Sequence, residues 1–286
     1  VQGRNHGVAM IAEESTAWPK VTEHPENDGL GFTFKWNMGW MHDFLEYMKL
    51  DPYFRKYNHN RMTFSLTYFT SENYILVLSH DEVVHLKCSM INKMPGLGED
   101  KFSNLKAGYT FMLGHPGKKL LFMGQDFGQW HEWDEKVSLD WYLAEEESHK
   151  KLQEYVRDLL HIYKKYPCLY QLDNDWNGFQ WMSCDDRDCS VVAFRRISRS
   201  GREVIAVFNF CPVLREDYPL PLPKAGWYEP VMNSDSSTWG GYGFEPVTVH
   251  AQRGKEGGHW GQFRIPPMSA VYYLHRRTNP QRETEK

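Results

Sequence analysis

The sequence predicts an α/β domain with a parallel sheet, followed by an all-β domain with antiparallel strands. Up to Lys165 short apolar runs alternate with amphipathic helical segments, and past Pro167 strand-like runs follow one another across turn-rich stretches. Parallel neighbours need crossover connections, which the helices of the first half supply. We therefore predict one domain over residues 1–166, a second over residues 167–276 and a charged tail over residues 277–286.

Four strands and their helices make up the first predicted domain. The opening strand is the apolar segment Val8–Ala12. In the segment Met38–Leu50 apolar residues recur at helical spacing, and the helix ends at Asp51 because the residue before a proline is pushed out of the helical region. The other predicted strands are Gly31–Asn37, Tyr74–Leu78 and Lys119–Met123, and the other predicted helices span about 104–113 and 145–165.

The second predicted domain contains short strands that are separated by turns. The turn-rich stretches include Arg199-Ser200-Gly201 and Gly240-Gly241. The predicted strands are Ser190–Ile197, Glu203–Asn209, Gly226–Met232 and Ser269–Leu274.

The composition fits a globular chain and argues against two classes of partner. The 286 residues are 41% hydrophobic and 15% aromatic, which is enough for a sizeable core. No apolar stretch approaches the roughly 20 residues that span a bilayer, so we expect no membrane role. The formal charge is −4 and neither sign is concentrated, so we expect no nucleic-acid partner.

The cysteines and histidines predict neither a disulfide framework nor a metal site. The five cysteines include no C-x-x-C pair, and His24, His42 and His59 have no ligand partners at metal spacing. We expect no cofactor, and a reducing cytoplasm as the location. The chain starts at Val1 and enters a strand almost at once, so we expect it to be a piece of a longer polypeptide.

Two carboxylates stand where predicted strands end. Glu13 follows Val8–Ala12, and Asp81 comes shortly after Tyr74–Leu78. Each apolar run stops at a cluster of acidic and hydroxyl residues, and catalytic groups lie at such strand ends in parallel barrels. Taken alone, an exposed acid is the commoner explanation of Glu13, and a core or capping role is the commoner one for His80. Because Glu13 and Asp81 both follow apolar strands, we interpret them as an acid pair at one rim of a barrel.

Longer motifs are MIAEEST at 10–16, GLGFTFKWNMGWMHD at 29–43, SHDEVVH at 79–85, KKLLFMG at 118–124, SLDW at 138–141 and VMNSD at 231–235. These motifs resemble those of the bacterial 1,4-α-glucan (glycogen) branching enzymes, which belong to the α-amylase superfamily. The resemblance covers nearly the whole chain. One departure is Leu86, where a glycine more commonly follows the histidine.

The resemblance implies a fold and a missing part. Members have a (β/α)8 TIM barrel with one domain before it and an all-β domain after it. The first predicted domain would then be the second half of the barrel, and the other an antiparallel β-sandwich. The family's nucleophilic aspartate would lie upstream of Val1, absent from this chain. A complementary N-terminal half of the same enzyme is an expected partner, because half a barrel exposes two sheet edges.

The resemblance also implies roles for individual residues. Glu13 would protonate the departing glycosidic oxygen and then deprotonate the C6 hydroxyl of the acceptor glucan, so that an α-1,4 link becomes an α-1,6 link. Asp81 would stabilise the transition state, and His80 would hydrogen-bond the same sugar ring. Packing of Trp36 and loop support by Glu82 remain open alternatives to substrate contact. The further substrate-binding candidates are Lys35, Trp36, Asn37, Glu82 and Trp133.

Three functions remain to be compared. The first is a retaining transferase that branches glycogen or amylose. The second is an α-glucan hydrolase of the same superfamily, whose acceptor is water. The third is a non-catalytic glucan-binding fragment, because a chain without its nucleophile cannot complete double displacement alone. The SHDEVVH and KWNMGWMH segments favour the first.

Overall fold

The computed structural model describes residues 3–254 and 257–280, so residues 281–286 of the predicted tail lie outside the described residues. None of the described helices is long and apolar enough to cross a membrane. The α-helices are α1 Met38–Met48, α2 Pro52–Arg55, α3 Asn60–Thr63, α4 Glu99–Gly114 and α5 Glu147–Lys165. The strands are β1 Ile11–Ala12, β2 Phe34–Trp36, β3 Tyr74–Leu78, β4 Lys118–Leu121, β5 Phe179–Ser183, β6 Val191–Ile197, β7 Glu203–Asn209, β8 Arg215–Leu222, β9 Trp227–Asn233, β10 Val249–His250, β11 Gln252–Arg253, β12 His259–Ile265 and β13 Ser269–Arg276.

A parallel sheet organises the first half of the chain. Within the described residues its strand order is β1-β2-β3-β4, and Lys35 of β2 pairs with both Ala12 and Tyr74. The parallel arrangement predicted from the alternation of strands and helices is therefore present. Strand β1 is shorter than predicted, because the backbone N–H of Met10 donates to the hydroxyl of Thr33 at 3.0 Å instead of to a strand carbonyl.

Helix α4 lies in the core between the two halves. Every residue from Phe102 to Gly114 is buried, because α4 packs against α5 and also against β7 and β13. The helix begins one turn earlier than predicted, where Glu99 and Asp100 lie at the positive end of the helix dipole. The buried ammonium of Lys106 donates to the carbonyl of Trp239 at 2.8 Å.

Two antiparallel sheets make up the second half. In the described residues their strand orders are β10-β9-β13-β7-β6-β5 and β11-β12-β8. Side chains of β6 alternate between two cores. Val192 and Phe194 belong to the core around α4, whereas Val191 and Ala193 belong to the core shared with β8 and β12. The larger sheet is thus buried on both faces.

The structure contains strands that the sequence pattern does not predict, namely β5, β8, β10, β11 and β12. Strand β8 includes Pro219 and Pro221, and proline argues against a strand because it lacks the N–H donor. It lies at the edge of its sheet with β12 as its neighbour, where a missing donor is tolerated.

Two fully buried arginines join the halves. Arg55 of α2 donates through Nη1 to the carbonyl of Phe210 at 3.0 Å. Arg196 of β6 donates to the carbonyl of Gly114, the last residue of α4, at 2.9 Å and to the carboxylate of Asp173 at 2.8 Å. The two halves therefore share one core and a set of buried polar contacts.

Candidate active site

The carboxyl ends of β1 to β4 meet at one edge of the parallel sheet, and the candidate residues follow these ends. Glu13 comes directly after β1 and Asn37 directly after β2, whereas Phe122, which follows β4, is not among the predicted site residues. His80 and Asp81 begin the short turn that follows β3. The strand order places these strand ends at one edge of the sheet, and the joint action of Glu13 and Asp81 there stays a prediction.

Glu13 is exposed and opens onto a cavity of about 510 Å³. Trp18, Leu30 and Phe32 also line this cavity, whereas Asp81 does not. In the register of the sheet, Ala12 pairs with Lys35 and Lys35 pairs with Tyr74, the first residue of β3. Asp81 comes after the other end of β3. The chain therefore presents Glu13 and Asp81 after strands of the same sheet, and Asp81 does not share the cavity at Glu13.

Lys35 holds the segment that carries Glu13. Its side chain is buried, its Nζ lies 2.6 Å from the carboxylate of Glu14, and it also donates to the carbonyls of Thr16 at 3.2 Å and Trp18 at 3.4 Å. The Lys35 ammonium, followed by Thr16, lowers the pKa of Glu14 from its ordinary 4.5 to about 2. The backbone of Glu13 is thus flanked by paired β1 on one side and by an ionised, anchored Glu14 on the other.

Trp36 and Asn37 line a second cavity of about 520 Å³, together with Lys35. Trp36 is half-buried and packs against the main core. The side-chain oxygen of Asn37 accepts the N–H of Trp40 at 2.8 Å, which caps α1, and it accepts the hydroxyl of Tyr68 at 3.2 Å. The side-chain oxygen of Asn37 therefore has a structural role. The buried Nδ2 of the same side chain has no partner among the described residues.

His80 and Asp81 form a partly exposed pair. His80 Nε2 lies 3.1 Å from Asp81 Oδ1, and their side chains are 43% and 47% exposed. The ring of His80 lies 5.8 Å from that of Phe122 and 6.4 Å from that of Trp133, between ring centroids. These aromatic contacts orient the imidazole while leaving both polar groups open to a ligand.

The loop after β4 folds over the loop after β3. The backbone N–H of Trp133 donates to the carbonyl of Val83 at 2.9 Å. The carboxylate of Glu132 accepts the backbone N–H groups of Leu86 at 2.9 Å and Cys88 at 2.6 Å. Sequence reasoning missed Glu132, because nothing in the local pattern links it to a loop more than forty residues away.

The departure at Leu86 has a structural consequence. Leu86 has φ 67° and is 95% exposed, and His85 and Cys88 also have positive φ. A residue with a Cβ is strained at positive φ, a backbone conformation that favours glycine.

Glu82 lies 3.6 Å from Lys87 in the same loop, an ion pair that fits the loop-support alternative for Glu82.

Comparison with known proteins first defines a structural class. Residues 181–276 match the family model described as the alpha amylase C-terminal all-beta domain. The chain is similar to a crystal structure of an alpha-amylase from H. orenii, with 14% identity, a TM-score of 0.58, and coverage of 95% of this chain and 54% of that one. It is also similar to Ttha1563 from Thermus thermophilus, with 16% identity, a TM-score of 0.64, and coverage of 96% and 54%. These likenesses concern the fold alone, and the matched family model places an all-β domain of the alpha-amylase type at residues 181–276.

Sequence relatives narrow this class. The chain is 52% identical over 280 residues to the 1,4-alpha-glucan branching enzyme GlgB of Butyrivibrio fibrisolvens, covering 96% of this chain and 44% of that enzyme. It is 48% identical over 267 residues to the GlgB of Oleidesulfovibrio alaskensis, covering 93% and 42%. The chain thus spans less than half the length of these relatives. It is a homologue of the bacterial 1,4-α-glucan branching enzymes, and the predicted resemblance is confirmed.

Proposed function

We propose that this chain forms part of a retaining 1,4-α-glucan branching enzyme, which cleaves α-1,4 links and transfers the released chain to a C6 hydroxyl. The observation that carries this proposal is the position of Glu13, exposed at the carboxyl end of β1 above a cavity of about 510 Å³ and anchored through its neighbour Glu14. The sequence identity of 52% and 48% to two branching enzymes, over most of the chain, supports the proposal.

In this proposal residues 1–166 are the second half of a (β/α)8 barrel and residues 167–276 are a C-terminal β-sandwich domain. Four parallel strands in sequential order support the first assignment, because an eight-stranded parallel barrel repeats that arrangement. Two facing antiparallel sheets support the second. The five cysteines are free thiols, which supports a cytoplasmic location.

Glu13 is the proposed acid/base. It protonates the oxygen of the scissile α-1,4 bond as that bond breaks, and it later takes the proton of the acceptor C6 hydroxyl. Asp81 and His80 bind hydroxyls of the distorted sugar, and their open side chains support this role. Trp133 supplies an aromatic face beside His80. The further proposed contacts with the glucan come from Lys35, Trp36, Asn37 and Glu82.

The proposed partner is the complementary N-terminal half of the enzyme, which brings the nucleophilic carboxylate to about 5–5.5 Å from Glu13. Strands β1 and β4 are the edges of the parallel sheet in the described residues, so each has one side without a partner strand of that sheet. Apolar side chains are exposed near β1, with Ile11 48% and Trp18 62% accessible. Closing the barrel would cover them and would bring Glu13 and Asp81 into one cleft.

A branching assay on amylose tests the proposal, with the chain assembled with its complementary half. We expect α-1,6 links from the assembly, and their loss in Glu13→Gln, which keeps the side-chain shape and removes the titrating proton. Glu26→Gln, an exposed glutamate in the following loop, is the matched control and should keep full activity. Reducing sugar released without new α-1,6 links would indicate a hydrolase. Activity retained in Glu13→Gln would refute the assignment of the acid/base.

A further inference from the structure

The proposed function gives no role to the SLDW motif at 138–141. Its charged member is Asp140, whose side chain is 18% exposed and lies at the end of the loop after β4. The Oδ2 of Asp140 lies 2.6 Å from the Nδ1 of His131. This contact joins the two ends of the segment 131–140, which we call the 131–140 loop.

The contact is a hydrogen bond that His131 donates. A carboxylate can only accept, so the Nδ1 of His131 carries the hydrogen. His131 is 74% exposed, and an ion pair of that exposure is weak by itself. The buried side chain of Gln129 reinforces the pair, because its Nε2 donates to the carbonyl of His131 at 3.2 Å and its Oε1 accepts the backbone N–H of Asp140 at 3.0 Å. Three hydrogen bonds therefore close the loop where its ends meet.

The middle of the 131–140 loop has little other support. Residues 134–138 are all exposed and belong to no helix or strand. The apolar side chain of Val137 is among them, with 65% of its surface accessible. The position of the loop therefore depends on its closed ends and on Trp133, which packs against the main core.

The 131–140 loop carries the groups that hold the loop after β3. Glu132 and Trp133 follow His131 directly in the sequence. The carboxylate of Glu132 accepts two backbone N–H groups of the loop after β3, and the backbone N–H of Trp133 donates to one of its carbonyls. A shift of His131 would displace these contacts, because they belong to the next two residues. The loop that they hold is the one that carries His80 and Asp81.

We propose that Asp140 is a positioning residue, which fixes the 131–140 loop through His131 and thereby holds His80 and Asp81 in place for the reaction. The link to the reaction rests on the proposed function. The hold on the loop after β3 rests on the contacts of this chain alone.

Hydrogen exchange in the chain as it is measures the hold on the loop after β3. Asp140→Ala should speed exchange at the backbone amides of residues 86 and 88 about fivefold, and His131→Ala should do the same. The double variant should exchange no faster than either single variant, because all three lack the same contact. Glu135→Gln, at an exposed glutamate of the same loop, is the matched control and should leave exchange at these amides unchanged.

A branching assay on amylose, with the chain assembled with its complementary half, measures the effect on the reaction. Asp140→Ala should lower kcat about fivefold and change KM little, because Asp81 is proposed to act in the transition state. His131→Arg keeps a charged donor for the carboxylate and should retain kcat. Rates are expressed per folded molecule, measured by circular dichroism, and on that scale a role in stability alone would leave kcat unchanged.

The inference would be overturned if exchange at residues 86 and 88 in Asp140→Ala matched that of Glu135→Gln, or if kcat per folded molecule did not change. An unmodified assembly that forms no α-1,6 links would refute the proposed reaction. The exchange experiment would then still decide whether Asp140 holds the loop, so the two failures are distinguishable.

Discussion

Replacing Lys35 by methionine should release the segment that carries Glu13. The substitution keeps the length of the side chain and removes the ammonium that contacts Glu14, Thr16 and Trp18. The pKa of Glu14 should then rise from about 2 towards the ordinary 4.5, and remain below it because Thr16 still donates to the carboxylate. Loss of the two partly buried hydrogen bonds to the carbonyls of Thr16 and Trp18 should cost about 1 kcal/mol, at roughly 0.5 kcal/mol each.

An NMR titration that follows the side-chain carboxyl of Glu14 measures this change, and urea unfolding measures the stability. Because the folded-state pKa of Glu14 lies below 4.5, the pair with Lys35 stabilises the fold above that pH, and the stabilisation is lost as the pH falls through about 2. Lys35→Met should remove most of this pH dependence and leave the part due to Thr16, whereas Lys35→Arg should keep most of it. The reasoning is refuted if Glu14 of Lys35→Met still titrates near 2.

Three further predictions concern the core and the loop after β3. Arg196→Met should lower the free energy of unfolding in urea by about 3–5 kcal/mol, because it leaves the carboxylate of Asp173 without its buried partner. Lys118→Met removes the other partner of the same carboxylate and should cost at most about 1 kcal/mol, since Lys118 is 40% exposed. Leu86→Gly should stabilise the fold by about 0.5–1 kcal/mol in the same assay, and an equal gain from Leu86→Ala would contradict the role of its positive φ. Glu132→Gln should speed hydrogen exchange at the amides of residues 86 and 88, and unchanged protection there would show that the carboxylate does not hold the loop.

The local hydrophobic pattern of the sequence predicts best those strands that are buried along nearly their whole length. Strand β3 is predicted to the residue, because its four last residues are buried and polar residues bound it on both sides. Strand β7 is also predicted to the residue, and all of it is buried. Strand β8 is missed because its prolines are tolerated only at a sheet edge, and a sequence does not show which strand lies at an edge.

For the candidate site, the sequence predicts which residues end the strands but not how far apart they lie. The positions of Glu13 after β1 and of Asp81 after β3 follow from the apolar runs before them. Their separation depends on how the sheet is closed, and closure depends on strands beyond β1 and β4. The pairing of Lys35 with Glu14 is likewise a contact between β2 and the segment that follows β1, which strand periodicity alone does not show.

The loop that carries His80 and Asp81 is held from outside rather than by its own sequence. Leu86 and its neighbours at positive φ each cost about 1–2 kcal/mol relative to a residue without strain. The contacts of Glu132 with this loop, together with the bond from Trp133 to Val83, oppose that cost. A family member with glycine in place of Leu86 would carry less strain there and would depend less on Glu132. The orientation of Asp81 in this chain is therefore coupled to the loop after β4, so that loop should tolerate substitution less well here than in a homologue with glycine at this position.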